Sequence, residues 1–246
     1  MSALLPLTGF THTYDGERLS GLEGGDPAGG GDGAPTVVLL HGAGNGTKDR
    51  LIPLLQDFLG RGLHGLAFDF SGHGTSTGRL AELSLRRRYE QAASVVEARV
   101  PAASPLILAG FSMSGQTLAD LADRFGPRVT ALGLCAPAVY AAEAWDVPFG
   151  DGDGRFSEII RRPDGWRGAP ALAALRAFSG RAVLAVPGAD EVIPPAVTEA
   201  VAEALGQGPR PPARLTFPDA GHRLGDWFRE HPADRAAFVD ALLADG

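Results

Sequence analysis

The chain has 246 residues, a formal charge of -7 at neutral pH, 44% hydrophobic and 21% charged residues. This suffices for one α/β domain over 1–246, and the acidic balance argues against nucleic acid or an anionic membrane as partner and for a small molecule. A lone cysteine, Cys135, excludes an internal disulfide and a cysteine-built zinc cluster, and MSALLPLTGF lacks the basic region and apolar length of a signal peptide, so a cytoplasmic setting without a membrane span is expected.

An N-terminal hairpin is expected first, followed by a flexible loop over 21–35, where GLEGGDPAGGGDGAP is too rich in glycine and proline for regular structure. Short apolar runs then mark buried strands at 36–41, 63–70, 105–111, 129–135, 181–187 and 213–218. Segments near 49–60, 81–99, 114–125, 195–205 and 232–244 carry helical spacing. The alternation predicts an α/β fold: a mostly parallel central sheet with helices on both faces. Residues 136–180 are longer than an ordinary crossover and hold Trp145, Phe149 and Trp166, which makes them an expected lid and these three aromatics expected pocket walls.

The run Gly110-Phe111-Ser112-Met113-Ser114 passes from a strand into a helix. There a G-x-S-x-G pattern has physical meaning: the turn is so sharp that only small side chains fit two residues before and after the serine, and the turn lifts its hydroxyl above the sheet. Ser112 has Gly110 and Ser114 as flanks, whereas Ser114 would have Ser112 and the bulky Gln116, so Ser112 is the expected nucleophile. A serine needs a base, and the base needs an acid that fixes its tautomer. His222 follows the last expected strand and Asp190 follows the one before it, giving the order Ser, Asp, His at three strand ends. Glu191 and Asp219 compete with Asp190 for the acid.

Four motifs, LLHGAG at 39–44, FDFSGHGTS at 68–76, GFSMSG at 110–115 and the pair PGADEVIP with AGH, make the chain resemble the α/β hydrolases, in their esterase-like and serine-aminopeptidase-like branch with a small lid. Two departures are Ser114 in place of glycine and a loop before Asp190 shorter by one residue. The resemblance implies that Ser112 attacks, His222 is general base and then acid, and Asp190 orients it, with the N–H groups of Ala43 and Met113 as oxyanion hole. It implies a serine hydrolase acting on a carboxylic ester, thioester or lactone of a small molecule, without metal or organic cofactor. The alternatives are an aminopeptidase, for which Glu143, Asp146, Asp151, Asp153 and Glu158 could recognise an amine, and a non-catalytic ligand-binding protein of the same fold.

Other residues read as structural. His41, His73 and Asp69 are expected to organise turns, and Arg86, Arg87 and Arg88 to form a solvated helix face. GAGNGT at 42–47 ends in Thr47 rather than glycine, and Lys48 follows Thr47 in the wrong order for a phosphate loop. GDGDGR at 150–155 has arginine where a calcium loop needs an oxygen ligand.

Overall fold

Leu7–Tyr14 (β1) and Glu17–Gly24 (β2) pair antiparallel across Asp15 and Gly16, whose φ angles of 47° and 77° suit a two-residue hairpin turn. This is a computed structural model, and it describes residues 4–26, 33–150 and 152–244. The loop expected over 21–35 begins later, because residues 21–24 belong to β2 and bridge the hairpin to the central sheet. At Gly21 the strand has no room for a side chain, since a Cβ there would collide with the Phe10 ring that crosses it. The middle of that glycine-rich stretch, 27–32, lies outside the described residues.

The remaining elements are Thr36–Leu40 (β3), Ile52–Leu59 (α1), His64–Phe68 (β4), Leu85–Arg99 (α2), Leu106–Phe111 (β5), Ser114–Phe125 (α3), Val129–Cys135 (β6), Arg155–Arg161 (α4), Pro170–Ala177 (α5), Arg181–Ala189 (β7), Pro195–Gly206 (α6), Ala213–Gly221 (β8), Leu224–Glu230 (α7) and Pro232–Leu243 (α8); they keep the expected alternation, to which α4, α5 and α7 are additions. The sheet order is β1-β2-β4-β3-β5-β6-β7-β8, parallel from β4 to β8. This is the doubly covered α/β-hydrolase architecture. Successive residues of β3 point to opposite faces: Val38 and Leu40 join the core beneath α2, α3, α5 and α6, while Val37 and Leu39 join the core beneath α1, α7 and α8. Continuous apolar runs follow from that double burial.

The chain leaves β3 toward β4 on one side and returns to β5 on the other, so a crevice opens at the carboxyl ends of β3 and β5. Residues 136–180 divide into two parts. Ala171, Leu172 and Leu175 of α5 sit in the main core, whereas Ala144, Val147, Phe156 and Ile159 form a separate cluster with Leu85 and Met113. No helix among the described residues is long and apolar enough to cross a membrane.

Candidate active site

Ser112 stands at the end of β5 with φ 51°, a left-handed conformation that a non-glycine residue adopts at a cost. Its neighbours hold it there. Its N–H donates to the Cys135 carbonyl (2.9 Å), and its own carbonyl accepts from Gly115 N–H (2.8 Å) and Ala138 N–H (2.9 Å). The demand for small flanks is direct, since a Cβ on Gly110 would lie 2.9 Å from the Ser114 Cβ. The two flanking positions touch each other.

The ends of β7 and β8 bring the other two residues to the hydroxyl. His222 Nε2 is 3.0 Å from Ser112 Oγ, and His222 Nδ1 is 3.0 Å from Asp190 Oδ2. The other Asp190 oxygen accepts from Val192 N–H (2.8 Å) and Ile193 N–H (2.9 Å), which orients the carboxylate toward the imidazole. Glu191 and Asp219 are exposed and make no hydrogen bond to His222 among the described residues. The arrangement can pass a proton from Ser112 to His222 while Asp190 holds the Nδ1–H tautomer. Ala43 follows the end of β3 and Met113 follows Ser112; neither N–H donates to a protein group among the described residues.

Behind Ser112 lies a buried polar layer. Phe70 N–H donates to His41 Nε2 (3.1 Å), which leaves Nδ1 to carry the proton and donate to the Gly42 carbonyl (2.6 Å). Burial holds His41 well below the usual histidine range, and the nearby Arg88 charge adds to this. His73 is lowered for the same first reason, and its Nδ1 bonds the Ser71 carbonyl at 3.0 Å. Lys48 Nζ and the wholly buried Asp69 form an ion pair at 2.6 Å, and Asp69 also accepts from Lys48 N–H at 2.7 Å.

The basic run on α2 does not behave as one surface. Arg86 pairs with Asp146 and Arg87 with Asp15 and Glu17, but Arg88 is 0% exposed. The expectation of a solvated face is corrected for this residue. Arg88 falls on the inward stripe with Leu85, Ala92 and Val95, at offsets of three, seven and ten residues from Leu85.

Two cavities hold candidate site residues. One, of about 350 Å³, contains Ser112 and His222, with apolar walls from Ala43, Leu51, Phe111, Val192 and Leu224 and a polar rim that includes Asn45 and Arg50. Arg50 is bound by both oxygens of Asp226 at 3.1 and 2.9 Å. Trp145 does not line the Ser112 cavity; it borders a second one, of about 310 Å³, with Leu85, Gln116, Asp120 and Tyr140. Phe149 packs on Phe156 with ring centres 4.5 Å apart, and Trp166 lies under Arg167 at 4.8 Å, so neither borders the Ser112 cavity. Leu224 and its neighbours on α7 do border it. That short helix carries too little periodic signal over seven residues to be read from sequence.

Asp120 in the second cavity carries a testable signature. Burial pushes its carboxyl up to about 7, against the opposing hydrogen bond from Gln116. The folded chain therefore retains a proton that the unfolded chain releases near pH 4, and stability declines as pH rises from about 4 through 7. Asp120→Asn, which can still accept from Gln116, is expected to stabilise the fold by on the order of 2 kcal/mol at about pH 8 and to be neutral below about pH 4. Urea denaturation at both pH values checks this. A gap that widens on acidification would count against a buried carboxylate.

A family model described as serine aminopeptidase, S33, matches residues 32–154, half of the chain. No curated protein matches it. Among solved structures, a thioesterase domain from the curacin biosynthetic pathway is similar with TM-score 0.71 at 15% identity, covering 95% of this chain and 99% of that one. Est1E from Butyrivibrio proteoclasticus, solved with ferulic acid bound, gives TM-score 0.70 at 15% identity, covering 96% and 100%. The enol-lactonase from Burkholderia xenovorans LB400 gives 0.68 at 17% identity, covering 94% and 99%. At these identities the likeness is one of fold.

Proposed function

The chain belongs to the serine aminopeptidase (S33) family of α/β hydrolases, and from that premise we propose that it is a serine hydrolase cleaving a carboxylic ester, thioester or lactone of a small molecule through an acyl-enzyme. The observation that carries this reading is the unbroken relay from Ser112 Oγ to His222 to Asp190, 3.0 Å at each step, with Ser112 at φ 51° above the sheet. His222 Nε2 takes the Ser112 proton as Oγ attacks the acyl carbon. The carbonyl π electrons move onto its oxygen, which the Ala43 and Met113 N–H groups stabilise, each worth on the order of 3 kcal/mol in such a site. As the intermediate collapses, His222 returns the proton to the leaving oxygen or sulfur. Water then repeats the sequence on the acyl-enzyme, releasing the acid and restoring Ser112.

Among the described residues, none of Glu143, Asp146, Asp153 and Glu158 lines the Ser112 cavity, which favours an ester over an aminoacyl amide. The exposed Glu143 and Asp146 pair with Arg162 and Arg86, and together with Asp153 they border a different depression. Glu158 is exposed, and Asp151 lies outside the described residues. Asp226, which does line the cavity, is engaged by Arg50. The cluster of Ala144, Val147, Phe156 and Ile159, packed with Leu85 and Met113, serves as the lid of a single domain in this reading.

Labelling with a fluorophosphonate, followed by peptide mass spectrometry and a panel of acyl esters, acyl thioesters and aminoacyl amides, tests the proposal. An adduct on Ser112 and ester or thioester turnover above amide turnover are expected. Adduct on Ser114, or none, would overturn the assignment; amides turned over fastest would make the aminopeptidase reading the right one.

A further inference from the structure

A guanidinium without a carboxylate partner is costly to bury. Arg88 is 0% exposed, forms no ion pair among the described residues, and has Nε and Nη1 without a protein hydrogen-bond partner. What it does touch lies directly behind the proposed oxyanion hole. Nη2 donates to the His41 carbonyl at 2.8 Å and to Ser114 Oγ at 2.9 Å, while Ser114 Oγ itself donates to the same carbonyl at 2.7 Å. The Phe70 ring lies 3.8 Å from the guanidinium carbon, so the cation is held against a π face.

We infer that Arg88 and Ser114 are a positioning pair that sets the two oxyanion donors, Ala43 N–H and Met113 N–H, at their working separation. The inference rests on the serine-hydrolase reading above. Ser114 directly follows Met113 at the start of α3, and His41 lies two residues before Ala43, so the three-way contact ties one donor segment to the other. The His41 carbonyl is fixed by Arg88 and Ser114, and the His41 ring is fixed by Phe70 N–H. The ring in turn fixes the Gly42 carbonyl at 2.6 Å. Because the 42–43 peptide is planar and trans, holding the Gly42 carbonyl aims Ala43 N–H to the opposite side. The glycine-to-serine departure in the nucleophile motif thus supplies the hydroxyl that Arg88 needs.

A structural and a positioning role predict different outcomes. Replacing a buried, unpaired charge by an apolar side chain of similar length is often neutral or stabilising, and in Arg88→Met the Ser114 hydroxyl still satisfies the His41 carbonyl. The experiment uses the full chain and the best ester of the panel, and measures kcat, KM, melting temperature and affinity for an alkylboronic acid that forms a tetrahedral adduct on serine. Arg88→Met is expected to lose on the order of 10²-fold in kcat, the scale of one oxyanion donor. Boronate affinity should fall in parallel, with KM within about threefold and the melting temperature unchanged or higher. Arg88→Lys, which keeps a cation within reach of the carbonyl, should recover part of the loss. Ser114→Ala, which removes one hydroxyl and decides the matter if Arg88→Met does not fold, should lose about tenfold in kcat.

Folded variants with unchanged kcat and boronate affinity would overturn the inference, as would losses that only track a falling melting temperature. A wild type that fluorophosphonate does not label would overturn the parent reading and this one together. Labelled wild type with fully active variants would overturn this one alone.

Discussion

Ser112→Ala and His222→Ala are each expected to lower kcat/KM by at least about 10⁴-fold, and the double variant to lose little more, because a nucleophile and its base act as a unit. Without the base, Ser112 Oγ keeps its proton; without the hydroxyl, His222 has nothing to activate at 3.0 Å. Asp190→Asn should cost on the order of 10³-fold or more, since an amide in place of the carboxylate neither holds the Nδ1–H tautomer nor stabilises the imidazolium. Asp219→Asn should stay near wild type, because Asp219 is exposed and makes no hydrogen bond to His222 among the described residues. Steady-state kinetics with matched circular dichroism checks all five variants. Full activity in Asp190→Asn would remove it as the orienting acid. A companion test uses the strained backbone: Ser112→Gly, which adopts φ 51° freely, should raise stability by about 1 kcal/mol while abolishing turnover.

The second large effect concerns stability. Lys48→Met should cost about 3–5 kcal/mol, because it leaves the wholly buried Asp69 without its cation. The hydrogen bonds from Lys48 N–H (2.7 Å) and Thr75 N–H (3.2 Å) remain but do not neutralise the charge. Adding Asp69→Asn removes the stranded charge and keeps an acceptor for Lys48 N–H, so the double variant should recover at least about 1 kcal/mol of the loss. Urea denaturation of the four corners of the cycle measures the coupling. A Lys48→Met variant within about 1 kcal/mol of wild type, or additive losses, would mean the pair is not a buried clamp. The pair anchors the turn at Lys48–Leu51, which carries Arg50 and Leu51 to the Ser112 cavity, so a raised KM should accompany the lost stability.

Read from the sequence alone, the central sheet is legible because parallel strands buried on both faces leave continuous apolar runs, as in TVVLL of β3 and LILAGF of β5. The relay is legible for a related reason: in a sheet of this kind residues distant along the chain meet at strand carboxyl ends, so Ser112, Asp190 and His222 could be named from their positions just after β5, β7 and β8. What only the tertiary structure decided is which neighbour each side chain meets. Three consecutive arginines read as a solvated run, yet α2 turns Arg88 inward with Leu85 and Val95 and leaves Arg86 and Arg87 to pair with acids. Trp145, Phe149 and Trp166 share an insertion, but none of them lines the Ser112 cavity, and Trp145 borders a separate one. Helical or strand period reports that a residue faces inward; burial, cavity walls and ion pairs depend on contacts such as Lys48 with Asp69, twenty-one residues apart, which close only when the layers pack.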